Sequence, residues 1–412
     1  MQCIVNDDVV LSRPLEGPLS AHIAAFARWV REQGYARCSR HRQVLLAACF
    51  CRWLGRHDVS VRSVSAEHPI RYLRSRARLV QIHRGDAAAL RQFLAFLCHN
   101  GVIPTEKKAP ARLTPAEHET QRFATYLRNE RALAEATVIN YVPFVRRFLA
   151  GQFGTGPVAL SRLSAGDIVR FVQREAPRLH LKRAKLLTTG LRSFLHYTRY
   201  RGEVAHDLAA AVPSVANWSM PSIPRAIPAE SVRQLLASIN RRTAMGRCDY
   251  AILLLLARLG LRASEVACLE LDDLDWEGGQ ITVRGKRGVR AALPLPADVG
   301  AAIAAYLRHG RPRSTSRRVF LRAKAPIRGF LDQKAVGSLV RNTLAHAGIK
   351  APTHGAHQFR HALATDMLRH GTSLTEIGEV LRHRSPDTTM IYTKVDLGAL
   401  RALALPWPGG VR

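Results

Sequence analysis

Thr353-His354-Gly355-Ala356-His357-Gln358-Phe359-Arg360-His361, followed by Leu381-Arg382-His383-Arg384-Ser385-Pro386 and Thr388-Thr389-Met390-Ile391-Tyr392-Thr393, is the stretch on which the fold turns. His357 and Arg360 stand at i and i+3, so on a helix they share one face. Upstream, Leu259-Gly260-Leu261-Arg262-Ala263-Ser264-Glu265 places Gly260 at the end of an apolar helical run and Arg262 at the start of the next helix. An arginine there adds its fork of donors to free backbone N–H groups, which suits a phosphate. Glu265 lies one turn on, where it can orient that guanidinium. Between the two segments, Gly285-Lys286-Arg287-Gly288 is flanked by the β-prone runs Gln280–Val283 and Val289–Leu295. That pattern predicts a hairpin with a cationic tip.

Taken singly, Arg262 or Arg360 reads as a surface ion-pair partner, Lys286 as a hairpin-tip charge and Tyr392 as a half-buried core phenol. Their joint order changes the reading. Arg262, Lys286, His357, Arg360, His383 and Tyr392 resemble the active-site set of the tyrosine recombinases, also called the phage integrase family. The flanking text agrees: Gly-Leu-Arg-Ala-Ser-Glu, His-Gln-Phe-Arg-His-Ala-Leu-Ala-Thr and Thr-Thr-Met-Ile-Tyr-Thr are similar to family signatures. Two departures stand out. The hairpin tip carries Arg287 and Arg290 where relatives often have further Lys and Asn, and Arg382 precedes His383 where Gly is common.

The resemblance implies a chemistry. Tyr392 attacks a scissile phosphate, forming a 3′-phosphotyrosyl link and freeing a 5′-hydroxyl. Arg262 and Arg360 stabilise the charge gathered on the non-bridging oxygens. Lys286 protonates the leaving oxygen, His357 is the expected partner of the Tyr392 proton, and His383 donates a further hydrogen bond to the phosphate. Glu265 is a supporting residue, and His361 is expected to pack or bond locally. With arginines as the charge clamp, no cofactor and no metal are expected. A zinc reading of His357 and His361 with His354 and His383 lacks HExxH, since position 358 is Gln, and Cys49, Cys51 and Cys98-His99 contain no CxxC.

Outward from the motifs, Ala229–Ile239 and Asp249–Leu259 read as helices, and residues 226–412 as a mixed catalytic domain with a C-terminal tail. Helical periodicity also fills residues 112–210, where Thr137-Val138-Ile139-Asn140-Tyr141 and Ser164-Ala165-Gly166-Asp167-Ile168 resemble the family's helical core-binding domain. Residues 1–105 repeat that pattern. Phe26-Ala27-Arg28-Trp29-Val30-Arg31 matches Phe123-Ala124-Thr125-Tyr126-Leu127-Arg128, and Arg91-Gln92-Phe93-Leu94 matches Arg192-Ser193-Phe194-Leu195. Pro104–Pro115 and the proline-spaced Val212–Pro228 read as linkers. The expected fold is therefore mainly α with a small β-sheet: tandem helical DNA-binding domains, the first a duplicate of the core-binding domain, followed by an α+β tyrosine-recombinase domain.

The charge fits such a chain. Among 412 residues, 62 Lys and Arg face 31 Asp and Glu, a net charge of +31. The excess is +8 in residues 1–105, +10 in 106–225 and +13 in 226–412, so each segment can meet phosphates. Arg71, Arg74, Arg76 and Arg78, then Lys182, Arg183 and Lys185, are the densest candidates for backbone contact, with Arg287 and Arg290 at the hairpin; a solvated helix face is the alternative. The seven cysteines suggest small buried hydrophobes in a reducing compartment. No apolar run is long enough to cross a bilayer, so a cytoplasmic protein is expected. The expected partners are double-stranded DNA, a homotetramer on DNA with exchange of the tail after Tyr392, and accessory or partner recombinases. A type IB topoisomerase and a catalytically idle DNA-binding regulator are the competing functions.

Overall fold

A computed structural model describes residues 3–6, 9–104, 113–215, 226–285 and 288–395. Lys286, Arg287 and the tail from Asp396 onward, including the apolar positions Leu397, Leu400 and Leu403, lie outside the described residues. The chain divides into two compact units, Met1–Glu106 with Ile223–Arg412, and Lys107–Ser222.

The first segment opens with strands β1 (Cys3–Asn6) and β2 (Val9–Leu11), an antiparallel pair. This pair was not anticipated, although β-branched residues flank Asn6-Asp7-Asp8 in the manner of a hairpin. Four helices follow: α1 (Ile23–Glu32), α2 (Arg37–Arg56), α3 (Glu67–Ala77) and α4 (Asp86–His99). Each turns an apolar stripe inward, and Phe26, Val30, Phe50, Leu54, Phe93 and Leu97 form their shared core.

The second unit holds α5 (Pro115–Asn129), α6 (Glu135–Phe153), α7 (Ala165–Glu175) and α8 (Leu181–Tyr200). Thr114 and Ser164 accept from the backbone N–H groups of Glu117 and Asp167, whose carboxylates reciprocate, so the local sequence fixes both helix starts. The aromatic packing of this unit parallels that of the first segment. Phe26 packs on Trp29, Phe93 and Phe96 at ring-centroid distances of 6.0, 4.8 and 5.6 Å. Phe123 packs on Tyr126, Phe194 and Tyr197 at 6.4, 5.3 and 5.5 Å.

Beyond residue 226 the order is α9 (Ala229–Ser238), α10 (Ala244–Arg258), α11 (Ala263–Cys268), the strands β3 (Leu274–Asp275), β4 (Gln280–Arg284) and β5 (Arg290–Pro294), then α12 (Ala297–His309), α13 (Gln333–His346), α14 (His357–Arg369), α15 (Leu374–Val380) and the short α16 (Pro386–Thr389). A final helical turn spans Met390–Val395. β4 and β5 form the expected hairpin, Thr282 facing Ala292, and β3 adds an edge strand that its two-residue length hid from periodicity. Helix α10 is the axis of the core: Ala251 through Leu256 are all buried, with Val299, Ile303, Val336, Val340 and Phe359 in the same cluster. A separate small core joins Ala364, Ile377, Leu381 and Tyr392, which ties the last turn to α14 and α15.

Among the described residues six cysteines are free, of which Cys51 and Cys248 are buried, Cys38 is exposed and the others are half-buried, so burial holds for some of them and not all. No described helix is long and apolar enough to cross a membrane.

Candidate active site

Gly260 closes α10 with φ +56°, a left-handed turn that glycine adopts freely, and this bend delivers Arg262 to the N-cap of α11. The Glu265 carboxylate, 1% exposed, accepts from the Arg262 backbone N–H at 2.8 Å and from Arg262 Nη1 at 2.7 Å. Arg262 is thereby pinned while its side chain stays 28% exposed. Its Nη2 also reaches the Arg382 carbonyl at 3.4 Å.

Arg360, on α14, is buried and has no carboxylate partner among the described residues. Its Nη1 donates to the Gly260 carbonyl at 2.7 Å, and its Nη2 to the Leu381 carbonyl. The arginine thus clips together the end of α10 and the end of α15. Burial, then the charges of Arg262 and Arg382, lower its pKa to about 10. It remains cationic at neutral pH, and being surrounded by like charge it is poised for an anion.

Tyr392 is 1% exposed. Its hydroxyl is hydrogen-bonded to His361 Nδ1 at 3.0 Å, and its ring lies parallel to that of His383, with centroids 6.4 Å apart. His383 is hydrogen-bonded in turn to Thr389 Oγ1 at 2.7 Å. Burial pushes the Tyr392 phenol up to about 12, and pulls His361 and His383 each down to about 4, helped by His357 and Arg360 for the first and by Arg360 and Arg262 for the second. Both imidazoles are neutral at pH 7, so His361 Nδ1 can accept a hydrogen bond from the Tyr392 phenol, and the proton stays on the phenol in this state.

The expected partner of that proton was His357. In the structure the Tyr392 hydroxyl meets His361, one helical turn further along α14. His357 is exposed, its ring 5.9 Å from that of His361. The spacing i, i+4 between the two histidines was the available signal. A second residue missed was Arg382: its Nη2 donates to Glu265 Oε2 at 2.9 Å. Among the described residues, no group of three or more His, Cys, Asp or Glu side chains is placed to hold a metal ion.

The proposed phosphate-backbone contacts lie elsewhere. Arg71, Arg74 and Arg78 are exposed on or just after α3, while Arg76 turns back, its Nη1 donating to the Tyr72 hydroxyl at 3.3 Å. At the start of α8, Lys182 and Arg183 are exposed and Lys185 is half-buried, with the Arg183 guanidinium 5.6 Å from the Phe144 ring centroid. Arg290 is exposed on β5.

Residues 225–398, which contain the whole of this site, match the phage integrase family. Over 409 residues the chain is 54% identical to the putative integrase/recombinase y4rA of Sinorhizobium fredii, covering 99% of each chain. The chain belongs to the phage integrase family. Its fold is that of the tyrosine recombinases. The XerH site-specific recombinase in a post-cleavage complex with a palindromic difH substrate superposes with a TM-score of 0.56 at 18% identity, over 76% of this chain and 93% of that one. A lambda integrase tetramer bound to a Holliday junction gives 0.52 at 14% identity, over 76% and 88%. As a family member, this tyrosine recombinase cuts and rejoins DNA strands.

Proposed function

We propose that the chain is the integrase of a mobile element and that Tyr392 is its nucleophile, with Arg262 and Arg360 as the phosphate clamp. The single observation that carries the assignment of the nucleophile and clamp is the Tyr392 hydroxyl held on a neutral imidazole, in the small core that also contains Leu381, whose carbonyl holds Arg360. His361 takes the phenolic proton. His383 turns to the phosphate, and Lys286 protonates the leaving 5′-oxygen. Because Tyr392 is 1% exposed, α16 and the turn after it must shift before attack.

Residues 1–105 and 112–210 act as two copies of one helical DNA-binding module, supported by the parallel order of helices and the parallel aromatic contacts. The likeness to a tetramer bound to a Holliday junction supports a multimer on DNA, and the chain after Tyr392 supplies the exchanged tail. Both duplicated modules and tail favour recombination over single-strand relaxation by a topoisomerase.

Incubation with a nicked candidate site should trap a covalent protein–DNA adduct with the wild type and none with Tyr392→Phe. An adduct formed equally by the Phe variant would refute the assignment of the nucleophile.

A further inference from the structure

Three guanidinium groups, those of Arg262, Arg360 and Arg382, converge on a site with one carboxylate, Glu265. Glu265 is shared: Oε1 accepts from Arg262 Nη1, and Oε2 accepts from both the Arg262 backbone N–H and Arg382 Nη2. The Arg382 side chain is only 15% exposed, and its Nη1 is buried with no hydrogen-bond partner among the described residues. The residue also sits at φ +54°, a left-handed conformation that disfavours any residue with a Cβ. A costly backbone conformation and a buried cation are tolerated together where the side chain has a task.

We infer that Arg382 is a positioning residue of the phosphate site: it occupies Glu265 so that Arg262 is held in place without being neutralised. Arg262 and Glu265 alone would make a balanced pair, leaving Arg360 as the single uncompensated charge. With Arg382 added, the cluster carries one further positive charge. A phosphodiester is a monoanion, and the pentacoordinate state formed by tyrosine attack gathers a second negative charge. A site with two uncompensated cations matches the second state better than the first, which is the condition for catalysis. This role deepens the recombinase reading and rests on it.

The test uses the full chain and a nicked site in two forms, an ordinary phosphodiester and a methylphosphonate, in which a methyl group replaces one non-bridging oxygen and removes the charge. Arg382→Gly suits the left-handed backbone and keeps the carbonyl that Arg262 contacts, so the fold should hold. Adduct formation on the phosphodiester should slow about 30-fold. On the methylphosphonate, where there is less charge to stabilise, the gap to wild type should shrink to within about threefold. Arg382→Lys should recover much of the rate and Arg382→Gln should not, which separates charge from shape and serves if the glycine variant is unstable. Equal slowing on both substrates would mean a structural role only, and a wild-type rate in Arg382→Gly would overturn the inference outright. A wild-type chain that forms no adduct on either substrate is a different failure, since it refutes the recombinase reading and this inference with it.

Discussion

At the scale of single residues, the site holds its titratable phenol and imidazoles in their neutral forms. The phenol of Tyr392, at about 12, and the imidazoles of His361 and His383, at about 4, are each shifted by burial toward neutrality. A bound phosphate would offset the field of Arg262 and Arg360 and let the imidazoles rise toward catalytic range. The same shifts link stability to pH. A histidine whose folded pKa is depressed contributes stability that is fully present above about 6.5, its unfolded value, and is lost as pH falls toward about 4. Denaturant unfolding at pH 7.5 and pH 5 should therefore show a smaller loss in His361→Asn than in the wild type. Identical losses would show that His361 is not held neutral in the folded chain.

At the scale of elements, the arrangement of the site depends on where helices end. Gly260 bends the chain out of α10, and its carbonyl receives Arg360. A Cβ at this position would lie 2.9 Å from Leu381 Cδ2 and 3.0 Å from Leu363 Cδ2, and Leu381 is fully buried with its carbonyl on the same arginine. Gly260→Ala should thus cost about 1–2 kcal/mol from the left-handed backbone alone, with further loss from displaced Leu381. Thermal unfolding measures the first effect, and the rate of adduct formation the second; a variant as stable and as fast as wild type would show that the bend is not needed. The end of α10 and the hairpin were legible because Gly260 and the Gly-rich tip are local signals. The Thr114–Glu117 and Ser164–Asp167 capping pairs, which the structure brought out, are signals of the same local kind. Also legible was the order of Arg262, Arg360, His383 and Tyr392, which is a property of the string. What escaped were contacts created by packing. Nothing local says that the Tyr392 turn lands on His361, or that Arg382 folds back to Glu265, 117 residues away in sequence. β3 escaped as well, since a two-residue strand has no period.

At the scale of the whole molecule, a charge of +31 spread along the chain argues for grip by many weak phosphate contacts, whose number is read from salt dependence. Each phosphate contact contributes about 0.9 to the slope of log affinity against log salt on B-form DNA. Neutralising Lys182, Arg183 and Lys185 together with Gln should flatten that slope by about 2 to 3 if the start of α8 meets the backbone. The decisive comparison is Arg71, Arg74 and Arg78, which fall at i, i+3 and i+7 along the α3 segment and so line one face. If residues 1–105 are a working second copy of the core-binding module, this triple variant should flatten the slope by a similar amount and leave sequence preference unchanged, because phosphate contacts carry no base information. If the first bundle is only an appendage, the α8 variant alone changes the slope and the α3 variant binds like wild type at every salt concentration. The second result would leave the aromatic parallel between the two bundles as a relic of duplication without a shared task.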